Sequence, residues 1–189
     1  MNLSLSRNDT NGIRTDGRPT AARIQAAIDQ VNAGGGGRVS LEPGTWTTGT
    51  IFLRSHVELH LERGCRLKAA SDSAAYIPAP CSSVNKEHTP LHLIVADACE
   101  QAALTGPGEI DGADKAFWEP CEDDADRPYG IFRFKVRDGE TRPCPLVDCR
   151  RCRNLVVDGV TVRNSPVWTL HVFDCDGDLI GESGRQAGV

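Results

Sequence analysis

Long apolar runs are missing from this chain of 189 residues. None of its segments approaches the roughly 20 apolar residues that a membrane-spanning helix needs, so no membrane partner is expected. Residues 1–12 lack the apolar core of a secretory leader, and taken literally the product is expected in the cytoplasm. Methionine occurs once and aromatic residues make up 5% of the chain, which argues against a Met-rich or aromatic-rich binding surface. An excess of positive charge is also missing. With 21 Lys and Arg against 26 Asp and Glu, the net charge is −5, which disfavours bulk nucleic-acid binding. Finally, only one segment carries a helical period of any length. Without crossover helices, the many short strands cannot form a βαβ sheet.

The rest of the composition is that of a globular domain, 39% apolar and 25% charged, and its length suits one domain with a sizeable core. The 19 glycines and 11 prolines imply frequent turns. Eight cysteines, at 65, 81, 99, 121, 144, 149, 152 and 175, are scattered rather than spaced like a disulfide scaffold, and a reducing compartment would keep them as thiols. Residues 1–19 are polar and read as a loop segment. Residues 20–189 read as the main domain, opened by a helix over 20–33. Thr20 serves as its N-cap, and Ala21, Ile24, Ile28 and Val31 recur at helical spacing. The run Gly34–Gly37 follows a helix rather than leading into one, so it is a poor phosphate cradle.

From residue 38 the period is two. Val39 and Leu41, then Ile51 and Leu53, then Val57, Leu59 and Leu61 alternate with polar neighbours, and turns fall at Pro43-Gly44 and Gly64. A repeat underlies this. Cys99 precedes Gly106 by seven residues, and Cys152 precedes Gly159 by seven. Leu104 and Val157 fall at matching places, and Cys175 follows Cys152 by 23 residues, a plausible solenoid turn. The spacing predicts Leu104 above Val157 in one apolar column, with Cys99, Cys152 and Cys175 at equivalent positions.

Several phrases carry a family resemblance. Ile24-Gln25-Ala26-Ala27-Ile28-Asp29, the glycine run and Leu41-Glu42-Pro43-Gly44-Thr45-Trp46, with Asp16-Gly17 ahead of them, resemble the opening of pectin-degrading β-helix proteins. Thr48–Ser55 with Val57–Leu61, Leu104–Gly112, Arg142-Pro143 and Asn164–His171 then follow in the order of the polygalacturonases, glycoside hydrolase family 28. The resemblance runs from about residue 16 to 175, with a loop insertion at about 119–141. It implies an all-β, right-handed parallel β-helix (a pectin-lyase-like solenoid) with one N-terminal capping α-helix. It also implies inverting hydrolysis of pectin or another uronate-containing polysaccharide, without a cofactor, by a family whose members are usually secreted.

Inverting hydrolysis needs an acid and a base on opposite faces of the sugar, roughly 6.5–9.5 Å apart. The family places these as Asn-Thr-Asp and Asp-Asp on coils that would follow His171, with Gly-His-Gly and Arg-x-Lys later. No catalytic residue is therefore assigned, and the chain is expected to be an N-terminal portion, inactive alone, whose open coil edge makes it marginally stable or aggregation-prone. Asp123-Asp124 and Arg133-Phe134-Lys135 imitate two of these motifs but lie upstream and read as solvated loop charges. Trp168 and His171 are the candidate substrate-binding residues; the alternative is a core Trp with a satisfied His beside it. Cys149, Cys152, His171 and Cys175 have zinc-ligand types, and Asp174, Asp176 and Asp178 alternate as in a calcium loop, but stacked core thiols and a missing turn glycine favour no metal. Residues 127–163 hold nine Lys and Arg against four Asp and Glu, either a solvated face or a stripe for an anionic sugar polymer. The reading from another class is a non-catalytic β-solenoid that binds polysaccharide or serves as an interaction module. No oligomeric state is read from the sequence.

Overall fold

The computed structural model describes residues 1–6, 20–79, 88–120, 134–136 and 141–181. Strand β1 (Asn2–Leu5) and helix α1 (Thr20–Ala33) come first, followed by β2 (Gly37–Leu41), β3 (Gly44–Thr48) and β4 (Ile51–Phe52). Next are β5 (Val57–Leu61), β6 (Cys65–Ala69), β7 (Ile94–Asp97), β8 (Ala103–Thr105) and β9 (Glu109–Asp111). An antiparallel pair, β10 (Trp118–Pro120) and β11 (Phe134–Val136), leaves the winding before β12 (Val147–Arg150). The last strands are β13 (Val156–Asp158), β14 (Thr161–Arg163), β15 (Leu170–Phe173) and β16 (Leu179–Ile180).

Apart from that pair, every strand pairing is parallel, in three sheets ordered β1-β2-β5-β8-β13-β16, β3-β6-β9-β14 and β4-β7-β12-β15. Each winding of the chain adds one strand to each sheet, which makes a right-handed parallel β-helix. Period-two alternation explains the interior. In-register pairing stacks Val39, Leu59, Leu104, Val157 and Ile180 in one column, and Trp46, Leu67, Ile110 and Val162 in a second. Ile51, Ile94, Val147 and Leu170 form a third. The early members of each column are buried, whereas Ile180 stays 44% exposed because no described strand lies beyond it.

The repeat marks one corner. Gly106 has φ +107°, and a Cβ there would sit 2.3 Å from the Leu61 carbonyl oxygen. Gly159 occupies the same corner one coil later, with φ +73°. The cysteine repeat marks another. Cys99, Cys152 and Cys175 immediately precede the bridged residues Glu100, Arg153 and Asp176. Their thiols donate one coil back, to the carbonyls of Leu53 (3.4 Å), Ala96 (3.5 Å) and Cys149 (3.7 Å). A thiol suits this corner because it packs as a small apolar group and still offers a weak donor.

One expectation changes. Residues 2–5, read as loop, form β1 and pair with β2 from Asn2 with Arg38 to Leu5 with Leu41. Leu3 and Leu5 alternate over too few residues for a sequence pattern to register, and they gain their partners only from β2. The parallel pairing runs on past Cys175. Asp178 stands where Leu155 stood, but its carboxylate accepts the Leu155 N–H at 2.9 Å, and β16 continues the sheet. Helix α1 packs on β1–β5, with Ile24, Ala27, Ile28 and Val31 buried. Asp16-Gly17 and all but the β10–β11 pair and the margins of the expected insertion lie outside the described residues.

Candidate functional site

Strand alternation decides what the β4-β7-β12-β15 sheet shows outward. Ile94 and Ala96, Val147 and Cys149, and Leu170 turn to the core, with Val172 in register behind Cys149 but exposed on the last coil, so Val95 and Asp97, Asp148 and Arg150, and His171 and Phe173 share the outer face. In register, Val95, Asp148 and His171 form one row across the coils, and Asp97, Arg150 and Phe173 form the next.

The floor of this face is polar yet buried. Asp148 is fully buried and Arg150 is 4% exposed. Arg150 Nε lies 3.0 Å from Asp148 Oδ2, and its Nη2 lies 3.4 Å from Asp97. Asp97 also takes a 2.6 Å contact from the exposed Arg151. Charges this deep persist only when paired. His171 Nδ1 is 2.8 Å from Asp148 Oδ1. Because an ionised carboxylate can only accept, Nδ1 carries the proton. On the other side, the fully buried His92 donates from Nδ1 to the Pro145 carbonyl at 2.8 Å and turns Nε2 toward Asp148 Oδ2, 3.7 Å away. Burial holds the His92 pKa below its ordinary value, against the opposing pull of the Pro145 hydrogen bond and the Asp148 charge.

Rings cover this floor. His88 stands edge-on to both Trp168 and His171, with ring centroids 5.1 Å away in each case, and Phe173 stacks on His171 at 5.9 Å. Trp168 is 42% exposed. It lies in the turn before β15, where its carbonyl accepts from Leu146 N–H at 2.8 Å and from the Ser165 hydroxyl at 3.0 Å. Trp118 braces that turn from β10 by donating Nε1–H to the Pro166 carbonyl at 2.7 Å, and Arg142 lies over its ring at 5.2 Å.

Trp168 and His171 are thus brought to one face. Sequence reasoning missed His88, Asp148, Arg150 and Phe173 beside them. The available signal was the period of two in Val147–Arg150, where a charged pair alternates with Val147 and Cys149. The zinc candidates are divided: Cys149 faces the core, Cys152 and Cys175 bond backbone carbonyls, and His171 faces out on Asp148. Asp178 is tied to Leu155 N–H rather than to Asp174 or Asp176. Among the described residues, no group of three His, Cys, Asp or Glu converges as metal ligands. Asp123, Asp124 and Arg133 lie outside the described residues. Among the described members of the basic run, Arg150 and Arg151 pair with Asp97, whereas Arg163 sits on another sheet against Glu109 at 2.6 Å.

No protein-family model matches the chain. It is 26% identical over 178 residues to an endo-polygalacturonase of Pectobacterium parmentieri, covering 88% of this chain and 41% of that protein. In structure it is similar to a hyperthermoactive exopolygalacturonase from Thermotoga maritima, with a TM-score of 0.67, 27% identity, and 90% and 45% of the two chains covered. A polygalacturonase from Erwinia carotovora ssp. carotovora shares the fold, with a TM-score of 0.65, 19% identity, and 96% and 48% coverage. The chain spans about two-fifths of the length of the curated relatives it matches. In motif order, coil register and fold the chain is similar to polygalacturonases and forms a parallel β-helix.

Proposed function

We propose that this chain provides the first coils and part of the sugar-binding floor of a pectin-degrading glycoside hydrolase. The enzyme would hydrolyse galacturonan with inversion, and this chain alone would bind the polymer without cleaving it. The observation that carries the reading is the outer face of β4, β7, β12 and β15. There Trp168, His88, His171 and Phe173 cluster above paired charges. Rings offer stacking surface to a pyranose, and imidazole and guanidinium groups can meet hydroxyls and carboxylates. Trp168 and His171 are assigned as substrate-binding residues on this basis.

The residues present support this reading. The sequence contains no Asn-Thr-Asp, and its one Asp-Asp, Asp123-Asp124, precedes the Asn164–His171 motif instead of following it. On the described outer face the carboxylates are Asp97 and Asp148, both engaged by arginine. Neither is left to act as a free acid or base across a sugar. The same observation favours the second reading, a polysaccharide-binding solenoid without catalysis of its own.

Two assays on the full chain test this. Affinity electrophoresis in polygalacturonate gels should show retardation, and Trp168→Ala or His171→Ala should abolish most of it. Reducing-sugar release from polygalacturonate should stay at background. Measurable hydrolysis would refute the claim of inactivity, and absence of retardation would refute the galacturonan reading.

A further inference from the structure

Among the described residues, Asp148 is the one fully buried carboxylate of the outer face. It sits in β12 directly between Val95 of β7 and His171 of β15. Such a residue is costly to keep in a β-helix, where an apolar side chain would pack at the same place without desolvating a charge. Its two oxygens are divided between two tasks. Oδ2 meets Arg150 Nε at 3.0 Å, which compensates the charge, and Oδ1 accepts from His171 Nδ1 at 2.8 Å. His171 is only 15% exposed at its side chain, and Phe173 stacks on one side while His88 abuts it edge-on. Its Nε2 has no hydrogen-bond partner among the described residues.

We propose that Asp148 is a positioning residue that locks His171 in the Nδ1–H tautomer and thereby presents Nε2 as a hydrogen-bond acceptor to a sugar hydroxyl. A free imidazole can place its proton on either nitrogen, and the partner of one nitrogen sets the role of the other. Oδ1 can only accept, so the proton stays on the inner nitrogen, and the outer nitrogen is left with a lone pair. Arg150 offsets the buried carboxylate charge, and the flanking rings hem in the imidazole. The ligand suited to this atom is a neutral hydroxyl donor on a sugar ring whose face lies against Trp168. The sugar part of this assignment rests on the galacturonan reading above; the tautomer does not.

The test uses the full chain with ¹⁵N-labelled histidine. Long-range ¹H–¹⁵N correlation spectra near pH 8 should show His171 with a pyrrole-type Nδ1 and a pyridine-type Nε2. Asp148→Asn, whose amide can donate as well as accept, should move His171 toward the Nε2–H form. It should also weaken trigalacturonate binding about tenfold, the upper end for one neutral hydrogen bond. A wild-type Nε2–H tautomer, or one that Asp148→Asn leaves unchanged, overturns the proposal. If the variant does not fold, the wild-type spectrum alone decides. A wild-type chain with the expected tautomer that does not bind trigalacturonate refutes the galacturonan reading and leaves Asp148 as the positioning group.

Discussion

Removing the Arg150 guanidinium should be the most damaging single change on the outer face. Arg150 Nε and Asp148 Oδ2 are 3.0 Å apart, with the side chains 4% and 0% exposed. At an effective dielectric of about 20, that distance corresponds to a gross attraction of about 5.5 kcal/mol. Much of this repays desolvation, so the informative quantity is the cost of breaking the pair from one side, about 3–5 kcal/mol. Arg150→Met keeps the length and the apolar stem but strands the Asp148 charge. Asp97 is less affected because Arg151 holds it at 2.6 Å. Against a domain stability of roughly 5–15 kcal/mol, the variant should show a much lower urea midpoint by circular dichroism. The double variant Asp148→Leu/Arg150→Met removes both charges and should return to within about 1 kcal/mol of wild type, since an apolar pair avoids the desolvation cost. A loss below about 1 kcal/mol in Arg150→Met, or a double variant as unstable as the single one, would refute the account of a charge kept buried by its partner.

Gly106→Ala should cost about 1–3 kcal/mol, because φ is +107° and the new methyl would collide with the Leu61 carbonyl; an unchanged urea midpoint would refute that. Leu104→Ala, between Leu59 and Val157 in the column, should cost about 2–5 kcal/mol, whereas Ile180→Ala at its exposed end should cost well under half of that in the same assay. The buried His92 titrates below its ordinary value, among Asp148, Arg150 and His88. The unfolded chain therefore takes up the His92 proton first, near pH 6.5, and stability is lost as pH falls below that point; His92→Gln should flatten this slope in urea titrations from pH 7 to pH 5. Burial raises the thiol pKa of Cys65 to about 12 and that of Cys175 to about 11, so both should resist iodoacetamide at pH 8 until urea is added, as read by peptide mapping.

The winding was legible in the sequence because a β-helix repeats its local rules. Alternation of period two, glycine at a corner that admits no Cβ, and a cysteine seven residues earlier are one-dimensional signals, and Leu104 stacks on Val157 as their spacing requires. The family phrases were legible for the same reason, as short contiguous words in a set order. The strand at Asn2–Leu5 was not, since four residues hold too little pattern and its sheet partner is 36 positions away. The site divides along the same line. Trp168 and His171 could be named from one phrase, but His88, Asp148 and Arg150 come from other coils. Parallel pairing sets Asp148 beside His171, 23 residues apart in sequence, and burial under neighbouring segments turns two ordinary surface-type charges into a paired floor. The sequence by itself determined the coil and its family likeness; only the stacking of coils, which converts sequence distance into register, decided which side chains meet on the outer face.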